Sequence, residues 1–426
     1  MRTFWFVIYN FIGIPVLWII FKLYSIFNTK VREGFKGRRD LFSELDKSLS
    51  ALSKEKNVLI HSSSLGEFQQ AIPLVEELRK KKYNVVLSFF SPSGYKNSKV
   101  NFSNAVKSYL PFDTLSKQKN FLDIINPEII IFMRYDLWYN LLYEAKKRGI
   151  RTVLANARYD EKDFTWKFPV VSSFKKTLYG MIDTIFVIDN YDNVNYKKKL
   201  SEQNIKIIKI GDSKFERVYQ SAKKMLSNDF IPENIVKEKK IFVIGSSWKD
   251  DEDVILPAID KSLEFDKDLL TLIVPHEPKE TKITALEKVV QNKYPNIKAI
   301  RFSALKDYQD ENFIIIDKVG LLSKLYSIAY LSYVGGGFKT GLHNTLEPAI
   351  FNMPILFSNE VKNSDEDEIL IKCGCGILIT DTKQFYRVFR EILNDKNYRD
   401  EIGERCKLVF KDNIGVAKKI VNHITN

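Results

Sequence analysis

The residues best placed to do chemistry fall in two clusters. The first is His61-Ser62-Ser63-Ser64-Leu65-Gly66-Glu67, where an apolar run gives way to small polar residues and then to an acid. The second runs Gly335-Gly336-Gly337-Phe338-Lys339-Thr340-Gly341-Leu342-His343-Asn344-Thr345-Leu346-Glu347-Pro348, directly after an apolar stretch over 330–334. Glycines in the second cluster let the backbone approach a ligand closely and take up positive φ. A helix predicted to open near Asn344 would offer its N–H groups and positive dipole end to a phosphate. His343, Asn344 and Glu347 add side chains able to hold a sugar or a nucleotide. In the first cluster, Glu67 falls in the first turn of a predicted helix, where the dipole favours an acid by ~0.3–1 kcal/mol. A capping acid is therefore one reading. The small residues ahead of it also leave room for a substrate, and the dipole would keep the carboxylate ionised, as a general base requires. A serine nucleophile is a third option, weakened by the missing Gly-x-Ser-x-Gly elbow and the lack of a clear acid partner.

Smaller clusters close other strand-like runs. Ser91-Pro92-Ser93-Gly94 is a turn whose hydroxyls and N–H groups could grip a phosphate, and in Asn156-Ala157-Arg158 the guanidinium suits an anion. Gly211-Asp212-Ser213-Lys214-Phe215, Gly245-Ser246-Ser247-Trp248 and Pro275-His276-Glu277-Pro278 occupy similar positions. Asp250, Asp251, Glu252 and Asp253 read as helix-start acids rather than metal ligands, since no matching histidine cluster accompanies them. The three cysteines, Cys373, Cys375 and Cys406, lack the paired spacing of a zinc site, and so few suggest a reducing compartment.

Positioning these groups requires strands that end beside helix starts. Strand-like runs recur at 58–61, 85–88, 129–132, 152–155, 185–188 and 207–210, separated by helical patterns. Phe68, Ala71, Ile72, Val75 and Leu78 mark the first of those helices. The alternation pauses in a polar stretch over 223–240 and resumes at 241–244, 270–274, 314–316, 330–334, 354–357 and 377–379. Such alternation implies parallel sheets covered by helices on both faces, and 426 residues exceed one hydrophobic core. Two doubly wound α/β units in tandem are expected, joined near residue 230. Ligands bind such sheets at the carboxyl ends of the strands, where every cluster above lies. Those ends could face each other across a cleft.

Residues 4–27 are dominated by Phe, Trp, Ile, Val, Leu and Tyr, with Asn10 and Lys22 as interruptions. Their length could span a bilayer, and no small-residue cleavage site follows. Lys30, Arg32, Lys36, Arg38 and Arg39 come next, opposed by Glu33 alone, which places the body of the protein in the cytoplasm. A membrane anchor or a helix lying on the surface is expected, separable from the α/β body. The net charge of +13 is dispersed and carries no nucleic-acid motif. Attraction to an anionic membrane surface or a phosphorylated substrate fits it better. A composition of 45% hydrophobic and 28% charged residues excludes a disordered chain.

Taken in order, His-Ser-x-Ser-x-Gly-Glu at 61–67, Asn-Ala-Arg at 156–158, Lys-Phe at 214–215, Gly-Ser-Ser-Trp at 245–248 and the glycine-rich run to Glu347-Pro348 carry a resemblance. The chain resembles the 3-deoxy-D-manno-octulosonic acid (Kdo) transferase family over nearly its whole length. The resemblance implies a GT-B fold with an N-terminal membrane-anchor helix (1–28), an acceptor domain (29–225), a CMP-sugar domain (226–405) and a C-terminal helix (406–426) packing back on the acceptor domain. It implies inverting transfer of Kdo from CMP-Kdo to a tetraacylated lipid A precursor at the cytoplasmic face of the inner membrane, without a bound metal or cofactor. Glu67 would be the catalytic base. Gly336, Gly337, His343, Asn344 and Glu347 would bind the donor, with Lys214, Ser246 and His276 in support. Ser64, Gly66, Ser93, Gly94, Asn156 and Arg158 would lie on the acceptor side. The chain departs from the family pattern at Arg134 and Tyr139, where an acid and a proline are usual, at Trp248, where histidine is common, and around His276. Another GT-B glycosyltransferase, a nucleotide-sugar epimerase of similar build or a non-catalytic membrane-surface module are the alternatives.

Overall fold

The structure, a computed structural model, describes residues 2–223, 230–336, 338, 344–358 and 365–426. The chain divides into two compact units, the first comprising Met1–Arg217 with Asn413–Asn426 and the second Val218–Asp412. The sequence had suggested divisions at 225/226 and 405/406.

Unit 1 is built on a parallel sheet of β1 (Lys56–Ser62), β2 (Tyr83–Phe89), β3 (Ala105–Tyr109), β4 (Pro127–Met133), β5 (Arg151–Ala157), β6 (Thr184–Val187) and β7 (Lys206–Lys209). Its order is β3-β2-β1-β4-β5-β6-β7. Both faces are covered, so side chains of alternate parity enter two different cores. Val58, Ile60, Leu87 and Ile131 meet Phe68, Leu74 and Leu78 on one face. Leu59, Val86, Ile130 and Phe132 meet Phe121 and Leu142 on the other. The helix Val416–Thr425 completes the first of these cores with Val416, Ile420 and Ile424. Arg151 fixes its end by donating to the carbonyls of Ile424 and His423, and Glu216 accepts from the Ala417 amide at 2.8 Å.

Unit 2 repeats the plan with β8 (Lys240–Ser247), β9 (Leu269–Pro275), β10 (Ala299–Arg301), β11 (Phe313–Ile315), β12 (Leu331–Val334), β13 (Ile355–Ser358) and β14 (Gly376–Ile379). All pairings are parallel, in the order β10-β11-β9-β8-β12-β13-β14. Among the described residues the three cysteines are free thiols, with Cys375 and Cys406 buried.

The amino-terminal helix, Arg2–Phe27, is long and apolar enough to cross a membrane, yet it is not separable from unit 1. Its first turns dock on the domain. Trp5 is buried and donates to Ser173 Oγ, Tyr9 donates to Asp113 Oδ2, and Asn10 exchanges hydrogen bonds with Asn140. Beyond Asn10 the outward face is apolar and open, including Phe11, Ile19, Leu23 and Phe27. The expected free-standing anchor is therefore corrected to a helix that is part domain wall and part exposed apolar face. A chain starting at Arg39 should not stay intact. It loses Trp5, whose truncation alone is of the ~3–5 kcal/mol class, and Arg38, which donates to the carbonyls of Leu110 and Phe90. Circular dichroism should show its unit 1 transition about ten degrees or more lower. An unchanged melt would restore the separable anchor.

Candidate functional site

In open parallel sheets, ligands bind where the strand order reverses, outside the carboxyl ends of the two strands that leave in opposite directions. In unit 1 that crevice lies between β1 and β4. The loop after β1 enters the helix Leu65–Lys80, whose N-cap is Ser64, its Oγ accepting from the Glu67 amide at 3.3 Å. Glu67 turns back on the same loop. Its Oε2 accepts from the Ser63 amide at 2.5 Å and from Ser63 Oγ at 3.0 Å. Burial raises the Glu67 pKa above the usual carboxylate range, Asp136 adds to this, and the Ser63 hydrogen bonds and His61 only partly oppose it. The expectation of a dipole-lowered acid is thus corrected: loss of solvent outweighs the helix end. A carboxylate that holds a proton more strongly is also a stronger base.

Ser93 and Gly94 sit in the adjoining turn, where Ser91 caps the helix Pro92–Asn97 by accepting from the Gly94 amide. The Ser91 amide donates to the Ser63 carbonyl at 3.2 Å, and a Cβ at Gly94 would press on Phe89 at 3.0 Å and on the Ser64 backbone at 3.4 Å. Ser64, Gly66, Glu67, Ser93 and Gly94 are therefore brought together. Asn156 is not among them. It takes φ of +54° and donates to Gln70 Oε1, Asp212 Oδ1 and Ser213 Oγ, so its buried amide ties β5 to the helices Leu65–Lys80 and Ser213–Lys223. That occupies it internally and corrects its acceptor assignment. Arg158 offers its carbonyl to the Tyr196 hydroxyl. Lys214, expected on the donor side, stands in unit 1, its amide donating to Asp212 Oδ1.

Sequence reasoning named His61 without a role and missed its partner Asp136 at this crevice. His61, fully buried at the end of β1, places Nε2 2.8 Å from Asp136 Oδ2 and Nδ1 2.9 Å from Ser88 Oγ. Burial would raise the Asp136 pKa, but the hydrogen bond and charge of His61 bring it below the usual value. Arg134, with φ of +64°, sends Nε to Gln70 Oε1 at 3.1 Å. A buried histidine at a strand's carboxyl end was the available signal. Its acid partner, 75 residues away, had none.

In unit 2 the reversal lies between β8 and β12. Ser246 has φ of +54°, and a Cβ at Gly335 would stand 2.5 Å from the Ser246 carbonyl oxygen, so only glycine lets the two strand ends come this close. Asp251 joins them. Its Oδ2 accepts from the amides of Trp248 and Gly336, each at 2.9 Å, and its Oδ1 from the Tyr333 hydroxyl at 2.8 Å. Asp251 thus stays a helix-start acid and gains a second duty. Glu347 Oε2 accepts from Ser323 Oγ at 2.6 Å and Oε1 from Asn344 Nδ2 at 2.9 Å. The helix expected after the glycines is a single turn, Leu346–Ala349, so its dipole offers little to a phosphate. His276 is exposed and stacks on Trp248, ring centroids 4.6 Å apart, with its amide donating to the Ser247 carbonyl. Gly337 and His343 lie outside the described residues. Among the described residues no group of three His, Cys, Asp or Glu side chains is placed to hold a metal.

Residues 34–217 match the family described as 3-deoxy-D-manno-octulosonic-acid transferase (kdotransferase). A bifunctional glycosyltransferase/methyltransferase of Fusobacterium nucleatum is 26% identical over 418 residues, covering 95% of this chain and 61% of that protein. The chain therefore spans about three fifths of that relative. A 3-deoxy-D-manno-octulosonic acid transferase of Haemophilus influenzae is 25% identical over 423 residues, covering 96% of this chain and 94% of that one. Among solved structures, a putative UDP-N-acetylglucosamine 2-epimerase from Listeria monocytogenes aligns with a TM-score of 0.55 at 14% identity, over 87% of this chain and 96% of that one. A glycosyltransferase from Rickettsia africae aligns with a TM-score of 0.52 at 12% identity, over 88% of this chain and 98% of that one. These neighbours share the fold, which is GT-B.

Proposed function

We propose, for a chain that matches the Kdo transferase family over residues 34–217 and is similar to a Kdo transferase along most of its length, transfer of Kdo from CMP-Kdo to a hydroxyl of a tetraacylated, phosphorylated lipid A precursor, with inversion at the sugar. The observation that carries the reading is Glu67, a half-buried carboxylate of raised pKa held by Ser63 at the strand reversal of unit 1. Its free lone pairs suit the proton of an acceptor hydroxyl. As that oxygen bonds to the anomeric carbon, the bond from that carbon to the phosphate oxygen breaks, the proton passes to Glu67 and CMP leaves with the electron pair. One displacement inverts the centre, so no enzymic nucleophile is required. Unit 2 would hold the donor, with the Ser246 and Gly336 backbones near the phosphate and Glu347 on nucleotide hydroxyls. The exposed apolar face of the amino-terminal helix and the basic run from Lys30 to Arg39 would keep unit 1 at the cytoplasmic surface of the inner membrane.

Incubating the full chain with CMP-Kdo and the precursor should release CMP and add Kdo mass to the lipid. CMP release without a sugar-bearing product, or turnover of a different nucleotide sugar in preference, would reject the reading. Glu347→Ala should weaken CMP binding about tenfold, the scale of a lost charged hydrogen bond, as calorimetry would show. Unaltered CMP affinity would move the donor site elsewhere.

A further inference from the structure

In unit 1 the segment from Asp163 to Val171 carries the turn Phe164–Lys167 and opens the helix Pro169–Tyr179, and it is fixed from within. Trp166 is buried against Tyr179, ring centroids 5.9 Å apart. Asp163 accepts from the Thr165 amide at 3.1 Å and pairs with Lys175, whose Nζ also donates to Thr165 Oγ1 at 2.6 Å. The Ser172 amide closes the first helical turn on the Phe168 carbonyl at 2.8 Å. A backbone held in this way keeps its remaining apolar side chains on display. Phe164, Phe168 and Val170 are 62%, 52% and 68% exposed, and the two rings meet edge to face with centroids 6.0 Å apart. A single exposed apolar residue needs no explanation, but a cluster on a fixed backbone marks a contact surface.

Its place beside the amino-terminal helix says what it contacts. Arg2 donates to the Gly180 carbonyl at 2.9 Å, Trp5 to Ser173 Oγ at 3.1 Å, and Tyr9 stacks on Phe174 with centroids 5.8 Å apart. The two helices thus run antiparallel, and the end of Pro169–Tyr179 that bears Val170 lies toward the exposed Phe11 and Ile12. Farther along the amino-terminal helix, Phe21 meets Phe90 and Phe112 of the same unit. A helix tied to one domain near both of its ends lies along that domain instead of leaving it through a bilayer. Its open apolar face would therefore meet a single leaflet side-on, and the Phe164–Val170 cluster beside it would meet the same leaflet. The surrounding charge agrees. Lys162 and Lys167 flank the aromatic pair, and Lys199 lies over the Trp166 ring at 5.9 Å. Of the acids just ahead, Asp160 and Glu161, the second accepts from the Tyr191 hydroxyl. Cations around an apolar wedge complement anionic headgroups above acyl chains.

We infer that Phe164, Phe168 and Val170 enter the same anionic leaflet as the face of the amino-terminal helix, a second contact that fixes the tilt of unit 1 on the membrane. The inference rests on the membrane placement proposed above. Vesicle binding by the full chain, with neither donor nor acceptor present, tests it apart from transfer. The triple change Phe164→Ser, Phe168→Ser and Val170→Ser alters exposed side chains alone, so its melt should match wild type. Its partition onto vesicles of phosphatidylethanolamine and phosphatidylglycerol should fall about tenfold or more, since the apolar area that lipid would cover is gone. Lys162→Glu with Lys167→Glu should weaken that partition about tenfold and leave binding to pure phosphatidylcholine unchanged. On the mixed vesicles, Phe164→Trp should gain emission that lipids brominated in the upper acyl chain quench. Unchanged partition of the triple variant would overturn the inference, as would a Phe164→Trp protein with no added quenching. A wild-type dimer in detergent that the triple change dissociates, with vesicle binding intact, would give the patch to a second copy and overturn it too. A wild-type chain that ignores vesicles would sink the membrane placement itself. Partition that depends on the three residues in a protein unable to transfer Kdo would sink the proposed reaction and leave the lipid contact standing.

Discussion

Replacing Glu67 with glutamine should lower the transfer rate about 10²–10⁴-fold, the usual cost of removing a general base. The amide is close in shape, and its oxygen can still accept from the Ser63 amide and hydroxyl that hold the native Oε2. The loop should keep its course and CMP affinity should stay unchanged. What disappears is the ability to take a proton. Because burial raises the Glu67 pKa, the wild-type enzyme should lose activity on the acid side at a higher pH than an ordinary glutamate would dictate. Below that pKa the base is already protonated, so the acidic limb of kcat/KM should vanish from the residual activity of Glu67→Gln. A folded variant with near-wild-type turnover would remove Glu67 from the reaction. A loss of rate with the acidic limb intact would assign that limb to another group.

A large stability effect of a single substitution is expected at Asp251. One buried carboxylate accepts from two loop amides and the hydroxyl of Tyr333, itself fully buried. Alanine would take this acceptor away from all three donors. Losing a buried acceptor shared by three donors costs about 3–5 kcal/mol, at ~1–3 kcal/mol for each group left unsatisfied, which in a unit of this size lowers its melting transition by about ten degrees. Asp251→Asn should fall between, since its amide oxygen can serve some donors while its NH2 opposes the others. Both variants should also lose CMP affinity at temperatures where unit 2 remains folded, because Gly336 and Trp248 are no longer held to each other. Calorimetric scans with and without CMP read both effects. An unchanged unit 2 transition in Asp251→Ala would show that the loops hold without the hub.

The two parallel sheets were legible because their central strands are buried on both faces and read as unbroken apolar runs, as at Val58–Ile60 and Ile129–Ile131. The strands overlooked, β3 and β10, are the outermost of their sheets. Half-exposed edges carry mixed sequences such as Ala105-Val106-Lys107-Ser108-Tyr109, which no periodicity separates from a loop. The position of Glu67 beside a strand end followed from local spacing. Its raised pKa did not, because it depends on burial and on the charge of Asp136, both set by residues remote in sequence. Tyr9 and Asn10 show a different limit. An apolar run reads the same whether lipid or protein covers it, and the polar residues that dock it here look from sequence like interruptions.

The helix Val416–Thr425 has a consequence for the order in which the molecule is made. Unit 1 is discontinuous, with unit 2 inserted between Arg217 and Asn413. While a ribosome is still producing unit 2, the face of the first sheet that ends under Ile420 and Ile424 lacks its cover. Leu74, Val75 and Leu78 must wait, with their apolar surface open, through the synthesis of Val218–Asp412. Unit 2, contiguous and later, can close its core before unit 1 does. Unit 1 therefore reaches its finished form only after unit 2 has been made. The helix that seals it is translated only after unit 2, and at the few residues per second of translation the wait is on the order of ten seconds or more. Nascent chains halted before Val416 should thus bind chaperones through unit 1 while their second unit already resists protease.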